Sequence, residues 1–278
     1  MNFLDVRGAR IRFHETGDPD AAPVLLLHGI GRSLEDWAPQ HDLLGDYRVI
    51  SLDMPGFGLS QRMPDPTTLP VLADGVWAAL DALGEKRPVH LMGNSLGGAV
   101  SMQMLTTAPD RVSTLTLVNS AGFGKEVTIA LRMLAVPGLG RQMLRRIDRR
   151  TAPRVERTLF AERSMVTPER IEMAIRIARQ PDFAPVYLEV AKALGGFRGV
   201  GASWRADLLS RVSAHVKPTM LIWGDRDMIL PCAHLAAARA AFPHAQSHMF
   251  PRTGHMPQIE RPAEFAELVR PVLAQVRV

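Results

Sequence analysis

Ser95 is the residue of this chain best placed to act as a nucleophile. It stands in Gly93-Asn94-Ser95-Leu96-Gly97-Gly98, between the apolar run Val89 to Met92 and a stretch of helical spacing from Leu96 to Thr107. A strand turning sharply into a helix at this point would force the serine into a strained conformation with its hydroxyl projecting, and Gly93 and Gly97 would keep side chains out of the turn. The free N–H groups of a helix opening at Leu96 would favour negative charge beside that hydroxyl. Serine is a weak nucleophile at neutral pH and needs a base, and histidine is the side chain whose pKa suits the task. Nine histidines compete for it. His90 and His248 fall inside strand-like runs and fit packing roles, whereas His255 follows Gly254 in a loop after the last predicted strand. His14, His41, His215, His234 and His244 have no companion motif. The base in turn needs a carboxylate to hold its tautomer. Asp225 and Asp227, just after the run Met220 to Trp223, are both available.

Positioning these groups requires a scaffold, and 278 residues with 46% hydrophobic side chains can bury a sizeable core. Short β-rich runs alternate with helical patterns, the signature of a mostly parallel sheet covered on both faces. Two alternating strands, Phe3 to Val6 and Ile11 to Glu15, precede Val24 to Leu27, Arg48 to Leu52, Val89 to Met92, Leu115 to Val118, Met220 to Trp223 and Gln246 to Phe250. Helices are predicted over Leu34 to Leu44, Leu69 to Leu83, Leu96 to Thr107, Ala233 to Ala241 and Ala263 to Val276. From about Ala121 to His215 the rhythm changes to helical segments broken by Pro137, Pro153, Pro168, Pro181 and Pro185, with no convincing strand. A helical insert, residues 121–215, is therefore expected within a core formed by 1–120 and 216–278.

The net charge of +5 is concentrated at one address. Between Arg141 and Arg163 eight arginines face Asp148, Glu156 and Glu162, and Met143, Leu144 and Ile147 interleave at helical spacing. The plain expectation is an amphipathic helix with a solvated basic face; contact with an anionic lipid, carrier or acidic partner is the alternative. No helix-turn-helix, zinc-finger or RNA-binding motif accompanies the charge, which argues against nucleic acid. No apolar run is long enough to span a bilayer, no secretory leader is evident, and Cys232 is the only cysteine, so a cytoplasmic protein without stable membrane insertion is expected. No metal-ligand cluster, P-loop or dinucleotide fingerprint is visible, so no metal and no cofactor are expected.

With its serine motif in this context, the chain resembles the α/β hydrolase superfamily. Four more stretches carry the resemblance in order: His28-Gly29-Ile30-Gly31 after a strand, Asp53-Met54-Pro55-Gly56-Phe57-Gly58-Leu59-Ser60, Trp223-Gly224-Asp225-Arg226-Asp227 through Pro231, and Gly254-His255 with Glu260 and Pro262. The resemblance implies an α/β hydrolase fold with an eight-stranded sheet and a helical lid formed by the insert. It implies Ser95 as nucleophile, His255 as base and, by the spacing from Gly224 to Pro231, Asp227 as acid, with Asp225 left as a turn residue. The backbone N–H groups of Leu96 and Ile30 would form the oxyanion hole. His28 would brace its loop, Asp53 its turn, and Glu260 would belong to the start of the last helix. Asn119 ends the strand before the insert, where some relatives carry their acid, but an amide supplies no charge.

In relatives of this kind the lid lines the substrate pocket. Phe123, Met133, Leu134, Phe160, Met165, Tyr187 and Phe197 are candidates there, with Trp37 and Met256 from the core, although such side chains at helical spacing more often fill a core. Their apolar character favours a small to medium hydrophobic carboxylic ester cleaved through an acyl-enzyme on Ser95. A second reading keeps the triad but breaks a carbon–carbon bond in ring-cleavage products of aromatic compounds. Those relatives typically place Trp after the histidine, where this chain has Met256. A third is a non-catalytic ligand-binding or interaction module that uses the basic insert. Oligomeric state is not readable from the sequence.

Overall fold

The computed structural model describes residues 2–136 and 138–276, so the predicted break at Pro137 lies outside the described residues. The sheet strands are β1 (Asn2–Val6), β2 (Ala9–Thr16), β3 (Pro23–Leu27), β4 (Arg48–Leu52), β5 (Val89–Asn94), β6 (Val112–Val118), β9 (Thr219–Gly224) and β10 (Gln246–Phe250), and the two-residue strands β7 (Gly195–Gly196) and β8 (Gly199–Val200) form a separate pair. All eight predicted strands are present, in the order β1-β2-β4-β3-β5-β6-β9-β10. β2 runs antiparallel to β1 and β4, and the remaining pairings are parallel. The β1–β2 hairpin turns on Arg7 and Gly8, both at positive φ (48° and 85°), a geometry that matches the twist of the flanking strands.

Strand side chains alternate between two cores. Leu25 and Leu27 face one side with Ile50, Leu52 and Leu91, under the helices Leu69–Ala82 and Leu96–Thr107. Val24 and Leu26 face the other with Val49, Met92 and Ile222, against Phe265, Val269 and Val272 of the helix Pro262–Leu273. Covering both faces is why Val24-Leu25-Leu26-Leu27 is apolar without interruption, and each fully buried side chain contributes about 2 kcal/mol. The predicted helix at Leu34 to Leu44 divides into a 3-10 turn, Leu34–Trp37, and an α-helix, Ala38–Leu43. Pro39 explains the division, because it has no N–H to return to the preceding turn.

β4 and β5 flank β3 on opposite sides, so the chain winds outward in two directions from β3 and leaves a crevice at the carboxyl ends of β3 and β5. Leu27 is paired with Gly93, which brings the loop beginning at His28 beside the turn at Ser95.

Between β6 and β9 lie the helices Ile129–Leu134, Leu139–Arg145, Ala152–Arg157, Pro168–Ala178, Phe183–Leu194 and Ala202–Val212. Pro153, Pro168 and Pro185 occupy first turns, where a missing N–H costs nothing. Leu134, Leu144, Ile177 and Phe183 form a small core of their own. The last helix, Ala202–Val212, differs: Leu208 and Val212 join the sheet-side core, and Arg211 donates to Gln103 Oε1 and Thr106 Oγ1, each at 3.0 Å. The β7–β8 pair was not expected from the sequence, since two-residue strands rich in glycine carry no apolar alternation. Among the described residues, no helix is long and apolar enough to cross a membrane.

Candidate active site

Ser95 caps the N-terminus of the helix Leu96–Thr107 with φ 56° and ψ −115°, a strained conformation for a residue with a side chain, costing on the order of 1–3 kcal/mol. Its N–H donates to Val118 O and its carbonyl accepts from Ala121 N–H, both at 3.0 Å, so the surrounding strands hold it there. The side chain makes no capping bond, which leaves the hydroxyl free for other chemistry. Close approach dictates the glycines. A Cβ on Gly93 would lie 2.2 Å from Gly97 O, and one on Gly97 would lie 2.3 Å from Leu27 O.

The loops after β9 and β10 bring Asp227 and His255 together. His255 Nδ1 and Asp227 Oδ2 are 2.7 Å apart, with the carboxylate side chain wholly buried. Asp227 Oδ1 accepts the N–H groups of Ile229 (2.7 Å) and Leu230 (3.0 Å), and Asn119 Nδ2 donates to Oδ2 from 2.6 Å. A carboxylate so supplied with donors keeps the proton on His255 Nδ1 and leaves Nε2 as the basic nitrogen. Asp225 turns elsewhere and accepts from Thr253 N–H at 3.1 Å. The histidine loop is fastened on three sides. His255 N–H donates to Leu159 O (2.8 Å), His255 O accepts from Asn94 Nδ2 (3.0 Å), and Gly254 N–H donates to Glu260 Oε1 (2.7 Å). Glu260 Oε2 also accepts Ala161 N–H at 2.9 Å, so this residue ties the histidine loop to the segment between β6 and β9 as well as closing the short helix Pro257–Glu260. Burial raises the Glu260 pKa, the backbone donors only partly opposing it.

Across the serine, the loop after β3 is braced by His28. Its Nε2 accepts Met54 N–H at 3.0 Å, which leaves Nδ1 to donate to Gly29 O at 2.7 Å. Burial lowers the His28 pKa and favours this neutral form. Asp53 accepts from Arg12 Nε (2.6 Å), Leu34 N–H (2.8 Å) and Leu59 N–H (2.7 Å), tying three stretches around the turn that follows β4. Among the described residues the N–H groups of Ile30 and Leu96 have no hydrogen-bond acceptor, and both residues line one cavity with Ser95.

Two cavities meet at Ser95. The first, about 620 Å³ including its opening, is lined mainly by apolar groups such as Leu131, Leu194, Trp204 and Ile229. The second, about 1100 Å³ including its opening, contains His255, Met256 and Tyr187 together with Arg32 and Glu156. Ile30 and Ser95 line both, so the serine stands where two arms of a substrate would diverge. In the second cavity Arg32 is held by Asp36, through Nε at 2.8 Å and the terminal nitrogen at 2.7 Å, and also pairs with Glu156. Burial raises the Tyr187 pKa, so the phenol stays neutral.

Several expected lining residues do not reach either cavity. Trp37 is buried on the far side of the sheet, its ring 6.0 Å from that of Phe265. Phe123 packs edge-on against Trp223 and Phe242, and the Arg170 guanidinium covers Phe160 at 5.2 Å. Met133 and Met165 line neither cavity, and Phe197 is 63% exposed. Leu134, Tyr187 and Met256 line the second cavity. Large apolar side chains fill whatever core is nearest, and their type does not distinguish a pocket wall from packing. Asn119 carries no charge, yet its amide donates to Asp227, and its place at the end of β6 is the signal that could have found it. Among the described residues, no group of three or more His, Cys, Asp or Glu side chains gathers as metal ligands.

Comparison with known proteins agrees with this architecture. The chain is 33% identical over 257 residues to the dihydrolipoyllysine-residue acetyltransferase component of the acetoin cleaving system of Pseudomonas putida, covering 92% of this chain and 64% of that protein, so it spans less than two thirds of that relative. It is 31% identical over 277 residues to a 2-hydroxymuconate semialdehyde hydrolase of Pseudomonas sp. strain CF600, covering 96% of this chain and 92% of that one. Its structure is similar to that of a thermophilic esterase from Thermogutta terrifontis, with a TM-score of 0.79, 26% identity and full coverage of both chains (100%). The model of the alpha/beta hydrolase fold matches residues 22–262, and with the sheet order and the glycine-flanked serine turn in agreement, the chain belongs to the α/β hydrolase fold family.

Proposed function

We propose that the chain is a cofactor-free serine hydrolase that cleaves small to medium hydrophobic carboxylic esters, with residues 121–215 inserted as a helical cap into the core 1–120 and 216–278. The observation that carries this reading is the position of Ser95: a strained turn residue at the junction of two cavities, sharing one of them with a His255 whose Nδ1 is bonded to Asp227. Ser95 Oγ attacks the ester carbonyl carbon while His255 Nε2 takes its proton. Negative charge forming on the carbonyl oxygen is met by the N–H groups of Ile30 and Leu96, a type of contact worth roughly 3 kcal/mol per donor. The C–O bond breaks, the proton passes from the imidazolium to the departing alkoxide, and water deprotonated by the same nitrogen releases the acid from Ser95. The first cavity's apolar walls suit one hydrophobic arm of the ester.

A second reading is hydrolysis of a carbon–carbon bond in a ring-cleavage product by the same triad. Arg132 favours it, as the one charged side chain among the described residues that line the first cavity: its Nε is held by Val127 O at 3.0 Å, and a terminal nitrogen could meet a substrate carboxylate. Labelling with a fluorophosphonate, lost in Ser95→Ala, tests the nucleophile. A panel of p-nitrophenyl esters beside a vinylogous diketone acid tests the bond. Fast turnover of the diketone with poor ester rates would reverse the order of the two readings, and no labelling with no turnover of either would point to a non-catalytic module.

A further inference from the structure

We propose that the outer face of the helices Leu139–Arg145 and Ala152–Arg157 is a docking surface for an anionic phospholipid bilayer, and that docking sets the mouth of the second cavity on the membrane. All eight arginines from Arg141 to Arg163 are exposed. Among the described residues, Arg149 is the one of the eight found in an ion pair, with Glu172 at 2.9 Å. Of the three acids in the same stretch, Glu156 is turned inward and wholly buried against Arg32, so the outward charge is more positive than the sequence count.

The two helices are two-faced in a way that connects the charge to the cavity. Met143, Leu144, Ala152 and Glu156 line the second cavity, while Arg141 and Arg145, four apart, and Arg154 and Arg157, three apart, share the exposed faces. The basic layer is therefore one helix thick above the chamber. Val155 lines the cavity and is also 51% exposed, and the exposed Ala130 lines it too, which marks its opening. Ile129, next to Ala130, is 71% exposed. Basic side chains around exposed aliphatic ones suit a surface of anionic headgroups over acyl chains, where each arginine near the leaflet strengthens attachment about five-fold. Nucleic acid fits less well, since Phe160, the aromatic side chain within the arginine stretch, is buried beneath the Arg170 guanidinium and presents no face on which a base could stack.

The proposal does not depend on ester cleavage and is tested without substrate. The full chain is floated with vesicles of phosphatidylcholine containing phosphatidylglycerol, or of phosphatidylcholine alone, at low and high salt. Attachment at least about ten-fold stronger to the anionic vesicles, and lost at high salt, is expected. Arg141→Gln, Arg145→Gln, Arg154→Gln and Arg157→Gln combined should weaken it at least about ten-fold while leaving circular dichroism and turnover of a soluble ester unchanged, and Ile129→Asp should weaken it with the charge intact. Should the combined variant fail to fold, anionic vesicles should still protect the wild-type segment 141–157 from trypsin. Equal attachment to neutral vesicles, full attachment of the folded variant, no protection from trypsin, or preference for single-stranded DNA or polyglutamate over vesicles would overturn the proposal. Docking without hydrolysis of any ester would instead remove only the function proposed above.

Discussion

Asn119 donates its amide to Asp227 Oδ2 from 2.6 Å, the same oxygen that faces His255 Nδ1 at 2.7 Å. Asn119 itself sits at φ 43°, held by its N–H to Ile222 O at 2.8 Å, so the donor is rigidly presented. A hydrogen bond to a charged group is worth about 1.5–3 kcal/mol. Asn119→Leu should therefore lower kcat by roughly ten-fold or more with KM little changed, measured on a p-nitrophenyl ester. An unchanged kcat would mean that the other donors to Asp227 suffice.

The two aspartates of the same loop should separate cleanly. Asp227→Asn removes the charge behind the imidazole and should reduce kcat by about 10⁴. Asp225→Asn keeps an acceptor for Thr253 N–H and should stay within a few-fold of the parent. Steady-state kinetics of both variants is the check, and reversed effects would assign the acid to Asp225.

Gly97→Ala should damage stability and activity together. Its Cβ would meet Leu27 O at 2.3 Å, and neither backbone can retreat without moving the serine turn or the loop of Ile30. Overpacking of this kind costs about 1–3 kcal/mol. Gly196→Ala is the control, because a Cβ there meets nothing within 4 Å. Calorimetry should show a lowered Tm for the first and an unmoved one for the second.

Acid should weaken the fold through two buried histidines. Burial holds His41 and His90 at about 4, His41 being further lowered by the charge of His14, whereas in the unfolded chain each titrates near 6.5. Between those values the unfolded state binds more protons, so stability rises with pH across this window and falls as pH drops from about 6.5 to about 4. Urea unfolding at pH 7 and pH 5 should differ by on the order of 2–4 kcal/mol, and the double variant His41→Gln, His90→Gln should show a flatter profile.

The sheet and its motifs were legible because they rest on local rules: buried parallel strands are apolar throughout, and a glycine that admits no Cβ leaves a mark at Gly93 or Gly97. Pairings between distant residues were not. Arg32 meets Glu156 across 124 positions, and Asn119 meets Asp227 across 108, contacts that no spacing encodes. Nor could side-chain type separate Tyr187, which lines a cavity, from Trp37 and Phe123, which pack cores. The division of Leu34 to Leu44 was written in Pro39, whereas a strand of two glycines had no signal to read.

The bond from His255 N–H to Leu159 O makes the proposed general base a neighbour of the very segment we propose as its roof. Anyone trimming that roof to admit bulkier molecules would be removing a strut rather than opening a door, since Ala161 and Glu260 share the same joint. Swapping segments to broaden scope should accordingly leave residues 156–161 in place and graft on either side of them.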